Sequence, residues 1–457
     1  MSRTRGALGA GCLMAALATG MAVPAGAQTL EEALANTYNT NPQLLAERAR
    51  LRAADEQVPQ ALSGWRPTVT ASGSYGYAAE RTRVGSLHQT EHLGPLGGSI
   101  IISQPLFRGG RTVANTERAV FSIQAQRAQV IVVEQQVLQQ AAQAYMNLYR
   151  NMAVVQLNAN NIEVLKRQLE AAQDRFRVGE VTRTDVAQAE SRLARAVADK
   201  READGNVEVA KATFERVIGL APINLVFPKR VPKTPGTRDE ATKLAYDNNP
   251  QLVGARFNEL AARSNVRSIT GELLPSVTVE GSVTHNREQA NENTKQTVGQ
   301  VIGRVSVPLY EAGSTYSRVR EAKQTAGQRR IDIETNRRQI FEQASSSWDT
   351  LVTARARIQA LYENIRAASI ALDGVQQEAA VGSRTVLDIL DAEQELFNAR
   401  VNLVSSQRDE IVGVFNLTAA TGRLTARLLG LNVELYDMDA YYESVKDKWF
   451  GLGDPLD

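Results

Sequence analysis

Residues 178–193 read VGEVTRTDVAQAESRL, and residues 381–396 read VGSRTVLDILDAEQEL. Each opens on Val-Gly, and each carries a Thr-x-x-Asp box just after it: Thr182 with Asp185, Thr385 with Asp388. Such a box starts a helix, because the threonine accepts from an unsatisfied first-turn amide and the aspartate complements the dipole. Each Val-Gly therefore interrupts one long helix and starts another. The same turn stands twice in one chain, 203 positions apart.

Working outward, the repetition extends to the whole chain. Asn41-Pro42-Gln43-Leu44 recurs as Asn249-Pro250-Gln251-Leu252, and Pro67-Thr68-Val69 as Pro275-Ser276-Val277, both 208 positions on. Pro105-Leu106-Phe107 recurs as Pro308-Leu309-Tyr310, at 203. The offset falls by five between residues 67 and 105, so one copy has a shorter loop there. Proline is absent from Leu106 to Ala221 and from Leu309 to Asp454, which permits very long helices. Segment 111–177 would span about 100 Å. Leu148, Val155, Ile162, Leu169 and Phe176 recur every seven residues, as do Leu351, Ile358, Ile365, Leu372 and Ala379. A seven-residue row winds helices into a left-handed coiled coil. Small residues keep the same spacing on the return arms: Ala189, Ala196, Ala203 and Ala210, then Ala392, Ala399, Ser406 and Gly413. The expectation is two antiparallel helical hairpins with Val178-Gly179 and Val381-Gly382 at their tips.

Before each proline-free stretch the texture alternates. Val69, Ala71, Gly73, Tyr75 and Tyr77 oppose Thr68, Thr70, Ser72, Ser74 and Gly76; Val277, Val279 and Val283 oppose Thr278, Glu280 and Thr284. Period two means strand. Residues 98–104 and 298–309 supply a second strand in each copy, the latter with Val301, Val305, Val307 and Leu309 on one face. Four strands of about ten residues match tilted bilayer crossings, although a soluble sandwich edge alternates too. Four strands cannot close, and open edges are not tolerated in lipid. Two copies would give about eight strands and three about twelve.

Composition fits an exported chain. Arg3 and Arg5, an apolar run to Val23 and the Ala25-Gly26-Ala27 site read as a secretory signal peptide over 1–27. Its cleavage removes Cys12, the single cysteine, so no disulfide is expected; Cys12 sits too early in the apolar run for a lipid anchor. Removing two arginines from 52 basic residues leaves 50, against 50 acidic ones. No net basic charge recruits nucleic acid. After the leader no apolar run reaches the length of a membrane-spanning helix. No P-loop, nucleophile elbow or dinucleotide fingerprint appears, so neither a cofactor nor catalysis is expected.

The paired Asn-Pro-Gln-Leu segments, Pro67 and Pro275, the two Pro-Leu-aromatic junctions and the two Val-Gly tips together resemble the TolC-like outer-membrane efflux proteins, from about Thr29 to Leu431. The fold class is then mostly α with a β-barrel contribution: a duplicated unit of long coiled-coil helices plus a β-hairpin, completed as a trimeric barrel and helical tunnel. Residues 28–235 form the first repeat and 236–430 the second, with hairpins at about 67–105 and 275–308. Residues 431–457 form an equatorial segment and tail, where Val433, Leu435, Tyr441, Tyr442 and Trp449 would belt the helices. The resemblance implies a homotrimer in outer-membrane lipid. It implies a periplasmic adaptor (membrane fusion) protein and an inner-membrane RND or ABC transporter as partners, in an efflux pump or type I secretion system.

The tips differ where capping does not require it. Arg384 replaces Val181, and Asp391 replaces Gln188. Asp388 and Asp391, spaced i, i+3, share a helix face and in a trimer would form two acidic rings that select cations. By the family pattern, Arg384 would reach Asp185 and the Thr184 backbone to hold the aperture closed. Ala379 stands where the family often has an aromatic residue, while Phe176 fills that place in the first copy. Residues 88–92, HQTEH, match a zinc-protease string, but the expectation is a polar loop. Two other classes remain: a structural coiled-coil envelope protein without a pore, and a metalloenzyme resting on HQTEH alone.

Overall fold

The computed structural model describes residues 28–289 and 291–453. The leader proposed for 1–27 and the last four residues lie outside it. Helices α1 (Leu30–Thr40) and α2 (Pro42–Asp55) open the chain, followed by α3 (Gln57–Leu62). Strands β1 (Thr68–Tyr75), β2 (Ala78–Val84), β3 (Leu87–Leu93) and β4 (Leu96–Arg108) lead into α4 (Arg111–Arg177) and α5 (Arg183–Ile218). The second copy follows with α6 (Arg238–Asn248), α7 (Pro250–Thr270), β5 (Ser276–Arg287), β6 (Lys295–Ser306), α8 (Ser314–Ala380) and α9 (Val386–Ala420). Two short helices close it, α10 (Ala426–Leu429) and α11 (Ala440–Val445). Helices α4 and α8 are each 67 residues long.

The Asn-Pro-Gln-Leu repeat has a mechanical role. Asn41 Oδ1 caps α2 by accepting from Gln43 N, with Pro42 pre-set at the first helical position. Its Nδ2 donates to the Val217 carbonyl at the end of α5. Asn249 does the same, capping α7 and donating to Ala420 O at the end of α9. One side chain thus starts a helix and pins the return arm to it, once in each copy.

The sheet runs β1-β4-β5-β6, all antiparallel, with β1 and β6 as open edges. Register places Val69, Ile102, Gly281 and Val301 in one row, and Ala71, Ile100, Val283 and Gly299 in the next on the same face. The opposite face is mixed: Thr70, Ile101, Ser282 and Gln300 form one row, Ile302 and Val298 lie in the neighbouring rows, and Ser72 and Ser99 form a hydroxyl pair at 2.8 Å. Val69, Ile100, Val283 and Val301 are exposed in the single chain. No helix among the described residues is long and apolar enough to cross a membrane.

Two strand expectations need correction. The span between the first two sheet strands is itself a paired ribbon, β2 with β3, and HQTEH lies on β3 rather than in a loop. The last strand ends at Ser306, so Val307 and Leu309 fall outside it: Pro308 has no amide to give the ladder.

The helical pairs α4–α5 and α8–α9 pack along the expected rows. Leu148, Ile162, Leu351, Leu372 and Ala379 are buried, as are Ala189, Ala196, Ala203, Ala210, Ala399 and Ser406. Phe176 is exposed, whereas Ala379 at the matching tip position is buried. The main core surrounds Tyr145 and Phe214, with Leu34, Leu44, Leu138 and Met146. The segment after α10 folds back across it. Val433 and Tyr442 pack on this core, together with Tyr436 and Met438. Arg48 sits 4.5 Å from the Tyr38 ring centroid and 5.0 Å from that of Tyr436. Leu435 and Trp449 stay exposed, so the belt is narrower than the sequence implies.

Candidate functional site: the paired hairpin tips

Each tip is built the same way. Val178 and Val381 end their helices, and Gly179 and Gly382 both take φ of 81°, a left-handed geometry that costs a side chain 1–2 kcal/mol, roughly. The Thr182 hydroxyl accepts from Asp185 N, while Asp185 Oδ2 accepts from Thr182 N at 2.8 Å. Thr385 and Asp388 repeat this, with Thr385 N to Asp388 Oδ2 at 2.9 Å. The Thr385 amide and hydroxyl both donate to this carboxylate and hold Asp388 below the usual carboxylate range, with Arg384 a lesser contributor. Thr184 is exposed at the first tip.

Within one chain Arg384 does not reach Asp185. Its Nε pairs with Glu378 Oε2 at 2.8 Å, across its own tip. Asp391 is not an unpartnered surface acid: Arg192 of α5 donates to it at 2.6 Å. Arg175, beside the first tip, donates to the Ala379 carbonyl at 3.0 Å and pairs with Glu180 at 3.3 Å. Where the family often places an aromatic at position 379, the small side chain is buried and its backbone is held by an arginine from the neighbouring hairpin.

Apolar contacts join the same parts. Val386 and Leu390 of α9 cluster with Ile162, Leu165 and Ala172 of α4 and Ala189 and Ala196 of α5. One turn round, Ile389 and Leu396 pack on Leu372 and Ala379 of α8. Helix α9 is therefore gripped by its own hairpin on one side and by the first hairpin on the other. Arg192 forms the polar part of that second grip, and Arg175 holds the end of α8 to the first hairpin.

Sequence reasoning missed Arg175, Arg192 and Glu378. The duplication carries the signal that finds all three: the position matching Arg175 is Glu378, and that matching Arg192 is Glu395. Opposite charges at equivalent positions mark a seam where the copies face each other differently.

Of the histidine string, the structure describes the surroundings of His92. Tyr77 OH lies 2.6 Å from His92 Nδ1 and their rings stack. Among the described residues no three His, Cys, Asp or Glu side chains converge as a metal would need.

Comparison with known proteins gives a consistent picture. The sequence profile of the family described as Outer membrane efflux protein matches residues 30–220 and 241–423. The chain is 35% identical over 429 residues to Outer membrane efflux protein BepC of Brucella suis biovar 1 (strain 1330), covering 94% of this chain and 92% of that one. It is 26% identical to Outer membrane protein TolC of Vibrio cholerae serotype O1 over 86% of this chain and 91% of that one. In fold it is similar to the Campylobacter jejuni CmeC outer membrane channel, with a TM-score of 0.77 at 15% identity, over 92% of this chain and 89% of that one.

Proposed function

Because the chain belongs to the Outer membrane efflux protein family, we propose that three copies of it join their sheets into one barrel and their helices into one tube, gated where the tips meet. The chain is an outer-membrane efflux channel, a transport protein with no catalytic role. The observation that carries closure by several copies is the sheet; the number three comes from the family resemblance. It has an exposed apolar face, a more polar opposite face that also carries Ile101, Ile302 and Val298, and two unpaired edges, and a bilayer tolerates no unpaired edge. Closure by β6 of one copy on β1 of the next satisfies both edges at once.

The gate rests on the tip geometry. Arg175 and Arg192 hold the inner hairpin, α8–α9, to the outer hairpin, α4–α5. Arg192 also masks the charge of Asp391, so its release both frees α9 and bares a second carboxylate beside Asp388. In the assembled tube Arg384 of one copy would face Asp185 and Thr184 of the next, exchanging Glu378 for them on closure. These pairs are solvent-accessible and individually weak, about 0.2–1 kcal/mol, which suits a latch that docking displaces. Val178 and Val381, the exposed tip valines beside Gly179 and Gly382, offer apolar contacts to a periplasmic adaptor protein. An inner-membrane RND or ABC transporter would supply the energy.

Planar-bilayer recording of the purified oligomer tests this reading. Wild type forms pores of low conductance, and Arg192→Ala raises the open fraction roughly two- to five-fold. Asp388→Asn combined with Asp391→Asn weakens block by multivalent cations. Absence of any pore would favour the structural coiled-coil envelope protein. Unchanged conductance in Arg192→Ala would remove the latch while leaving the duct.

A further inference from the structure

At the far end of α4 from the tips lies an open cavity of about 710 Å³. It is bounded by the turn after α3, the start of β1, the end of β4 and the first turns of α4. Arg66, Arg108 and Arg118 line it, and no aspartate or glutamate does. Arg66 donates to the Lys448 carbonyl at 2.8 Å and stacks on Trp449, and Arg118 donates to Asn265 at 2.9 Å. The nearby acids are engaged elsewhere: Glu117 with Arg267, and Glu56 with the Tyr441 hydroxyl. Three arginines thus border one space with no carboxylate among its lining residues.

A second observation points into the same space. Thr112 is 2% exposed, lines the cavity, and its hydroxyl has no hydrogen-bond partner. A buried hydroxyl without a partner costs about 1–3 kcal/mol. The helix start beside it is also unanswered: α4 has no side-chain cap and no acidic residue in its first turn. Gly64 leaves the wall open, since a Cβ there would come within 2.9 Å of Thr112 Cγ2 and 3.0 Å of Arg108 Nη1.

The second copy supplies the internal comparison. At the 203-residue offset Thr112 corresponds to Thr315, Arg108 to Glu311 and Arg118 to Glu321. The Thr315 hydroxyl donates to Glu311 Oε2. In that copy a carboxylate of the chain meets the threonine at the helix start. In the first copy the same position is an arginine, the charge is inverted, and the threonine is left without its acceptor. The first copy has no carboxylate of its own at that position.

We propose that the Arg66–Arg108–Arg118 cavity binds a phosphate group, with the Thr112 hydroxyl and the first-turn amides of α4 as further donors. Guanidinium forks match phosphate oxygens in pairs, and an uncapped helix start favours the same charge. Phosphate reaches the foot of a membrane barrel either as free anion or as a lipid headgroup, and both present the same oxygens to these donors.

Isothermal titration calorimetry on the full chain in detergent, at fixed ionic strength, tests the site with two probes. One is inorganic phosphate against added chloride. The other is dioleoylphosphatidic acid in mixed micelles against dioleoylglycerol, which lacks the phosphate. Saturable binding of at least one phosphate probe, weakened at least ten-fold in Arg108→Glu, is the expected result. Arg108→Gln keeps the test open should the reversed charge impair folding, and there a loss of at least three-fold is expected. Binding of both probes assigns a soluble anion as sufficient; binding of the lipid alone assigns the headgroup. Failure of both probes, or equal binding by wild type and the Arg108 variants, overturns the site. The gate can fail its own test without touching this one, since the two lie at opposite ends of α4.

Discussion

At the scale of single residues, buried polar groups without partners are the most informative. Asp55 is 1% exposed and neither carboxylate oxygen is hydrogen-bonded. Burial pushes its pKa from 3.8 up to about 6; Arg127 opposes the rise, and Asp439 and Glu56 add to it. A folded-state value above the unfolded one means that the fold favours the protonated form. The stabilising contribution is complete below about pH 4 and is lost as pH rises through about 6. Asp55→Asn should therefore melt higher than wild type at pH 8, by the equivalent of about 1–2 kcal/mol once solvent screening is allowed for. The gap should close as pH falls toward 4. Thermal melts of the full chain across that range check it, and a gap that does not vary with pH would assign the effect to packing rather than charge. Nothing in the sequence distinguishes Asp55 from any other acid at a helix end. Its isolation is created by α4 and by the returning segment that carries Asp439. Asp185 and Asp388 were legible for the opposite reason, since their partners Thr182 and Thr385 stand three positions away.

At the scale of elements, the strand-to-helix junctions show where two similar copies cannot be exchanged. Gly109 has φ of 59°, and Ala312 at the matching position has φ of 52°. The second copy therefore tolerates a side chain in this backbone geometry. The first does not, because a Cβ on Gly109 would lie 2.1 Å from the Gly271 carbonyl oxygen, where the end of α7 crosses the end of β4. Gly109→Ala should destabilise the chain by about 2–4 kcal/mol, through overpacking and backbone strain. Ala312→Gly should change it by less than about 1 kcal/mol. Denaturant unfolding of the two variants side by side measures both, and equal effects would show that conformation alone sets the requirement. Helices, tips and strand faces could be read from local periodicity, because a seven-residue row and a two-residue alternation each report their own burial. The ribbon β2–β3 was missed because Gly94 and Pro95 resemble loop punctuation. The Arg192–Asp391 and Arg175–Ala379 links were missed because they join residues about 200 positions apart, and no local pattern records them.

At the scale of the whole molecule, duplication supplies the architecture and the departures from it supply the chemistry. The two copies share caps, tips, helix lengths and strand faces. They invert charge at Arg108 and Glu311, Arg118 and Glu321, Arg175 and Glu378, and Arg192 and Glu395. Charge also inverts at Glu134 and Arg337 and at Glu163 and Arg366, so the inversions run along the paired helices and include both the foot of the sheet and the tips. What one chain cannot do is close its own sheet. Strands β1 and β6 are separated by β4 and β5, about 14 Å at ordinary strand spacing, well beyond the roughly 7 Å limit for a disulfide. A disulfide between these strands can then form only from one copy to another. With Cys12 replaced by Ser, Thr70→Cys on β1 should be paired in turn with Gln296→Cys, Gln300→Cys and Arg304→Cys on the matching face of β6. Oxidation in membranes should convert at least one member of the series to a species of three covalently joined chains, sensitive to reductant. Ladders that stop at two would point to an eight-stranded closure. Monomer throughout the series would show that the edges are satisfied by something other than copies of this chain.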